Sequence, residues 1–184
     1  MEPKGMIHGR FQPFHKGHFD YLSRAMENSE QLIVGITNPD PTMTSEHHSD
    51  SHRHLTGSNP YSYFLRMRMI QMSILLDDRL KDYYPKIIIV PFPVNKPDLW
   101  EHYIPLQGVV QIMRILEPWD REKRLKFEQA GFKVHVLEGS RAVSGTEVRD
   151  AIRSGDNSWQ DKVPAGTLHV LTKWLSETGA SRTL

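Results

Sequence analysis

Gly9-Arg10-Phe11-Gln12-Pro13-Phe14-His15-Lys16-Gly17-His18 follows the short apolar stretch Met6-Ile7 and runs into helical spacing at Phe19, Leu22 and Met26. A strand is therefore expected to end at Gly9, with a Pro13 turn and a helix from about His15 to Met26. His15 and His18 stand three residues apart at that helix start, so one turn puts both imidazoles on one side. Unpaired N–H groups and a partial positive charge gather at a helix start, so phosphate oxygens are drawn there. Two imidazole donors would extend that cradle, and Gly17 removes a side chain where a phosphate-bearing ligand would lie close.

Working outward, Gln31–Thr37 (QLIVGIT) is a β-branched run closed by Asn38-Pro39-Asp40-Pro41, which completes a β-α-β unit. Such units favour a parallel sheet with right-handed crossovers. From Asn38 to Asn59 the chain loses periodicity, as a long surface loop does. A helix is expected over Pro60–Leu76, capped by Asn59, then a strand over Lys86–Val90 ended by Pro91 and Pro93. Further along come a short helix or turn at Asn95–Tyr103, a strand at Val109–Leu116, and a charged helix at Asp120–Ala130 closed by Gly131. A strand at Lys133–Leu137 and helices at Ser144–Arg153 and Ala165–Trp174 complete the pattern. The expected fold is α/β: one Rossmann-like domain over residues 1–184, with a mostly parallel sheet of five or six strands and helices on both faces.

With 184 residues, 38% apolar and 24% charged, the chain can bury one substantial core, whereas two independent domains would each be marginal. A net charge of +1 offers no broad cationic surface for a nucleic-acid backbone. No cysteine occurs, which removes disulfides, thiolate nucleophiles and zinc–thiolate sites. The longest apolar run, Ile87–Val90, cannot span a bilayer, and the polar N-terminus does not resemble a signal peptide. A cytoplasmic protein without nucleic-acid or membrane partners is expected; assembly into homo-oligomers stays open.

A second motif lies far from the first. Ser144-Gly145-Thr146-Glu147-Val148-Arg149 offers hydroxyl and backbone donors at a helix start, a glycine that allows close approach, and a guanidinium that forks onto phosphate oxygens. Read alone, it is an ordinary capping box.

Together, GRFQPFHKGH and SGTEVR resemble the two signatures of the HxGH nucleotidyltransferase superfamily, and especially the archaeal-type nicotinamide mononucleotide adenylyltransferases. The resemblance covers about residues 5–175. It implies an enzyme that joins a nucleoside triphosphate, ATP first among the candidates, to a phosphorylated small molecule such as nicotinamide mononucleotide, releasing pyrophosphate. Mg²⁺ would travel with the triphosphate. His15, His18, Arg10 and Arg149 would stabilise the departing charge, while Gly9, Phe11, Gly17, Ser144, Gly145 and Thr146 would line the nucleotide. Arg66 in the segment after Asn59-Pro60-Tyr61, Trp100 and Trp119 would be substrate contacts, with Arg68 competing for the arginine's role.

The chain departs from its relatives where the fourth strand should run into an SGN-type turn: here it reads Arg114-Ile115-Leu116-Glu117-Pro118-Trp119-Asp120-Arg121. That leaves room for a cytidylyltransferase using CTP and a phosphorylated or phosphonate alcohol. A non-enzymatic nucleotide sensor and a metal-binding protein organised by His47, His48, His52 and His54 are further alternatives. Those four histidines sit in a loop without structured carboxylates, so a lid over the nucleotide is expected in preference to a metal centre.

Overall fold

Five strands, β1 (Glu2–Gly9), β2 (Ser29–Thr37), β3 (Ile87–Phe92), β4 (Val110–Met113) and β5 (Lys133–Val136), pair in parallel in the order β3-β2-β1-β4-β5. The computed structural model describes residues 2–40, 59–139 and 143–179. Parallel neighbours need crossovers, which run through helices α1 (Lys16–Glu27), α2 (Tyr63–Leu75) and α3 (Pro118–Gln129). Helices α4 (Gly145–Ser154) and α5 (Ala165–Thr178) follow β5. The chain moves outward from β1 in both directions, so β1 and β4 flank a switch point, the usual ligand crevice at the carboxyl ends of such a sheet.

Strand alternation divides the core in two. Ile7, Leu32, Val34, Ile36 and Ile112 pack with α1, α2, α4 and α5 in one cluster. Met6, Ile33 and Met113 face the other way, toward Phe92, Trp100, Phe127 and Phe132. Both faces of the sheet are thus covered, and its strands read as continuous apolar runs for that reason. Helices α2 and α5 approach closely: a Cβ on Gly166 would stand 2.1 Å from the Met72 carbonyl carbon.

Some boundaries differ from expectation. Ser62 caps α2 by accepting from the Leu65 N–H at 3.2 Å, so Asn59 and Pro60 precede the helix. Pro91 lies inside β3 rather than ending it, opposite Ile36. Because β3 is an edge strand, a missing N–H can face away from the ladder. Helix α3 begins at Pro118, two residues early, because the Asp120 carboxylate accepts from the backbone N–H groups of Leu116 and Glu117, both at 3.0 Å. Most of the Asn38–Asn59 loop, with His47, His48, His52 and His54, lies outside the described residues. Among the described residues no helix is long and apolar enough to cross a membrane.

Candidate active site

The β1–α1 turn is packed and hydrogen-bonded in place. Phe11 holds a positive φ of 53°, unusual for a side-chain-bearing residue, and its ring is buried against Phe14 and the His18 imidazole at centroid distances of 5.5 and 5.0 Å. Any nucleotide contact from Phe11 therefore comes from its backbone, while its ring props His18. Gln12 is buried and exchanges two 3.0 Å hydrogen bonds with the Tyr61 backbone, its amide N–H₂ donating to the Tyr61 carbonyl and its Oε1 accepting from the Tyr61 N–H. This ties the turn to the segment that leads into α2.

His15 and His18 cap α1 reciprocally. The His18 N–H donates to His15 Nδ1 at 3.3 Å and the His15 N–H to His18 Nδ1 at 3.4 Å, with the rings stacked 3.6 Å apart. Acceptance at Nδ1 fixes the proton of each neutral ring on Nε2, making two adjacent donors at a helix N-terminus. A Cβ on Gly17 would approach the His15 ring to 3.1 Å, so any side chain there would push the imidazole aside by a few tenths of an ångström.

Helix α4 meets this turn from the other end of the chain. Ser144 caps it, accepting from the Glu147 N–H at 3.2 Å, and Glu147 Oε2 accepts from the Ser144 N–H at 2.7 Å. That backbone bond lowers the Glu147 pKa. Arg149 is buried, which lowers its pKa. Its Nη1 donates to the Gln12 carbonyl at 2.6 Å and its Nη2 to Thr146 Oγ1 at 3.2 Å. A Cβ on Gly145 would lie 2.5 Å from the Gln12 oxygen, so only glycine lets the helix start this close. Gly9, Arg10, His15, Gly17, His18, Ser144, Gly145, Thr146 and Arg149 are thereby gathered at the carboxyl end of β1.

The remaining sequence candidates fall elsewhere. Arg66 is only 2% exposed, and burial lowers its pKa to about 10. Its Nη1 donates to the carbonyls of Arg10 and Thr37, its Nη2 to that of Asn38, all at 2.7 Å, and its Nε to that of Ser62 at 3.3 Å. It clasps the rim, so direct substrate contact would require surrendering one of these bonds. Arg68 points outward to Gln71 and Met72. Trp100 is buried, donates from Nε1 to the Pro93 carbonyl at 3.1 Å, and stacks on Phe127 at 4.6 Å. Trp119 is half-buried in the first turn of α3, with the Lys123 ammonium 3.9 Å from its ring centroid.

Two features escaped the motif reading. His8, in β1, is buried between Phe92 and Phe127, and neither ring nitrogen has a hydrogen-bond partner among the described residues; nor has Gln111 Oε1. A histidine inside an apolar strand was the available signal. Arg114, directly after β4, donates to the Gly17 carbonyl at 3.1 Å and pairs with Asp20. Among the described residues no group of three or more His, Cys, Asp or Glu could hold a metal ion.

Comparison with known proteins gives a consistent neighbourhood. Residues 6–151 match the family model described as cytidylyltransferase-like. A phosphonoformate cytidylyltransferase of Streptomyces viridochromogenes is 35% identical over 173 residues, covering 91% of this chain and 89% of that protein. A nicotinamide-nucleotide adenylyltransferase of Thermoplasma acidophilum is 29% identical, covering 92% and 86%. Among solved structures, a bifunctional NMN adenylyltransferase/ADP ribose pyrophosphatase of Francisella tularensis, complexed with AMP and a manganese ion, superposes with a TM-score of 0.71 at 19% identity. The match covers all of this chain and 52% of that one, so the chain spans about half its length.

Proposed function

This chain belongs to the cytidylyltransferase-like family, within the HxGH nucleotidyltransferases, and from that we propose that it transfers a cytidylyl group from CTP to a small phosphonate or phosphate acceptor. It is a nucleotidyltransferase in either of the two readings its relatives suggest. The observation that carries the choice between them is the Trp100–Phe127 stack at 4.6 Å. Trp100 is the residue that the family resemblance sets beside an acceptor base, and here the chain's own phenyl ring covers it. Phe127 is fully buried and also contacts Phe92 and Phe132, so displacing it for an acceptor ring would cost about 3 kcal/mol or more. An acceptor without a ring needs no such displacement. The 35% identity to the phosphonoformate enzyme supports the same side.

In this reading the acceptor oxygen attacks the α-phosphorus in line, the bond to the bridging oxygen breaks, and pyrophosphate departs with no covalent enzyme intermediate. The triphosphate arrives as its complex with a divalent cation, Mg²⁺ in the cell. His15 and His18 donate from Nε2, and the start of α4 with Arg149 receives the β- and γ-phosphates. Arg10 completes the positive border. The work is positioning and stabilisation of developing charge, so no general base is required.

The test is incubation with Mg²⁺, each triphosphate in turn, and phosphonoformate, simple phosphonate alcohols or nicotinamide mononucleotide, with the condensation product identified by mass. A cytidylylated phosphonate or phosphate is expected. Formation of a dinucleotide from ATP and nicotinamide mononucleotide would favour the adenylyl reading, which the archaeal relatives support.

A further inference from the structure

Arg114 is held on three sides. Its Nη1 donates to the carbonyl of Gly17, the residue between the two imidazoles, its Nη2 pairs with Asp20, and its guanidinium lies over the Tyr21 ring at 5.1 Å. Its side chain is only 9% exposed. One donor is left over: Nε is buried and has no hydrogen-bond partner among the described residues. A Cβ on Gly139, just beyond β5, would lie 4.0 Å from that nitrogen. The leftover N–H thus sits between the carboxyl ends of β4 and β5 and the start of α1.

A buried N–H without an acceptor costs roughly 1–3 kcal/mol, and in a native protein it calls for a reason. The surroundings supply one. Phosphates held at the starts of α1 and α4 would leave the nucleoside to extend past Gly17, toward the carboxyl ends of β4 and β5. A guanidinium can only donate, so the group it would recognise is an acceptor. Cytosine and uracil present a carbonyl oxygen at O2, whereas adenine presents only ring nitrogens as acceptors, so a fixed donor set for a carbonyl favours the pyrimidine.

We propose that Arg114 is the base-selecting residue, its Nε–H donating to the O2 carbonyl of a pyrimidine triphosphate and thereby favouring CTP over ATP. The inference rests on the nucleotidyltransferase reading above and extends it to the donor base. Gly17 and Asp20 fix the guanidinium before the ligand arrives, so little ordering is required on binding.

The experiment compares kcat/KM for CTP and ATP in wild type, Arg114→Met, Arg114→Lys and Asp20→Asn, with calorimetric binding of both triphosphates to each and a thermal melt to confirm folding. Both Arg114 variants should lower the CTP-to-ATP ratio by about 10- to 100-fold, the worth of one charge-assisted hydrogen bond. The lysine retains a cation beside Asp20, so it keeps that ion pair while removing the selecting N–H. Asp20→Asn should leave the ratio unchanged. Equal losses for both triphosphates, or a constant ratio, would overturn the proposal and make Arg114 a tie between β4 and α1. Wild type that uses ATP and not CTP overturns it too, while leaving nucleotidyl transfer intact. Failure of wild type to release pyrophosphate from any triphosphate counts against the function itself. The binding preference then still decides the role of Arg114: tighter CTP binding that is lost in both variants supports it, and equal binding refutes it.

Discussion

Arg149 donates through Nη1 to the main-chain carbonyl of Gln12 at 2.6 Å, joining residues separated by 137 positions. That bond locks the late motif onto the early one. It brings two helix N-termini, those of α1 and α4, close together, and the arrangement suits a polyanion better than either terminus alone.

His18→Ala should lower turnover by about a hundredfold or more with little change in the KM for either substrate, because an Nε2–H donor aimed at developing charge acts mainly in the transition state. Steady-state kinetics on the folded variant check this. Near-normal turnover would remove His18 from the chemistry.

Gly145→Ala forces a methyl to within 2.5 Å of the Gln12 oxygen, so α4 must back away and the Arg149–Gln12 bond must lengthen or break. Activity should fall by about 10-fold or more, with triphosphate KM raised, since misplacement of about 1 Å is costly in a positioning mechanism. The far-ultraviolet circular dichroism spectrum should stay native. An active Gly145→Ala enzyme would show that contact between the motifs is dispensable.

Arg66→Met leaves buried carbonyls of the rim without their donor and should destabilise the protein by about 3 kcal/mol, read as a lowered denaturant midpoint. Arg66→Lys should recover only part of this, because an ammonium cannot reproduce the planar fork. Wild-type stability with a raised substrate KM would instead give Arg66 to the ligand.

Burial draws the His8 pKa well below the ordinary imidazole value, and the charge of Lys123 acts the same way. The folded ring stays neutral while the unfolded one gains a proton below about pH 6.5, so acidification favours unfolding. Its contribution to stability is complete above that pH and is lost as pH falls, by up to about 1.4 kcal/mol per unit until the folded pKa is reached. His8→Leu should flatten the decline in melting temperature between pH 7 and 5 and raise stability at neutral pH, because two partnerless buried nitrogens are removed. Parallel pH profiles for wild type and His8→Leu would show that His8 contributes nothing to acid sensitivity.

Much was legible in residue order because it is local. The apolar runs QLIVGIT and KIIIV, the glycine and proline stops, and His15 and Ser144 at helix starts each encode structure within a few positions, and β1, β2, β3, α1 and α4 follow. The boundaries that shifted depended on partners: Ser62 and Asp120 cap their helices through side-chain bonds, and Pro91 is tolerated by the edge position of β3. Gln12 carried no signal, since its importance comes from Tyr61, 49 residues away.

The sequence by itself determined the alternation of strand and helix and the two capped helix starts, because backbone propensity and capping act over one or two turns. Only the tertiary structure decided which side chains face a ligand and which are consumed in holding the site. It gave the Arg66 guanidinium to the rim carbonyls, covered Trp100 with Phe127, and left Arg114 pinned beside Gly17 with its Nε–H unspent. These outcomes depend on contacts between residues distant in the chain, and burial sets their energies, which no short stretch of residues contains.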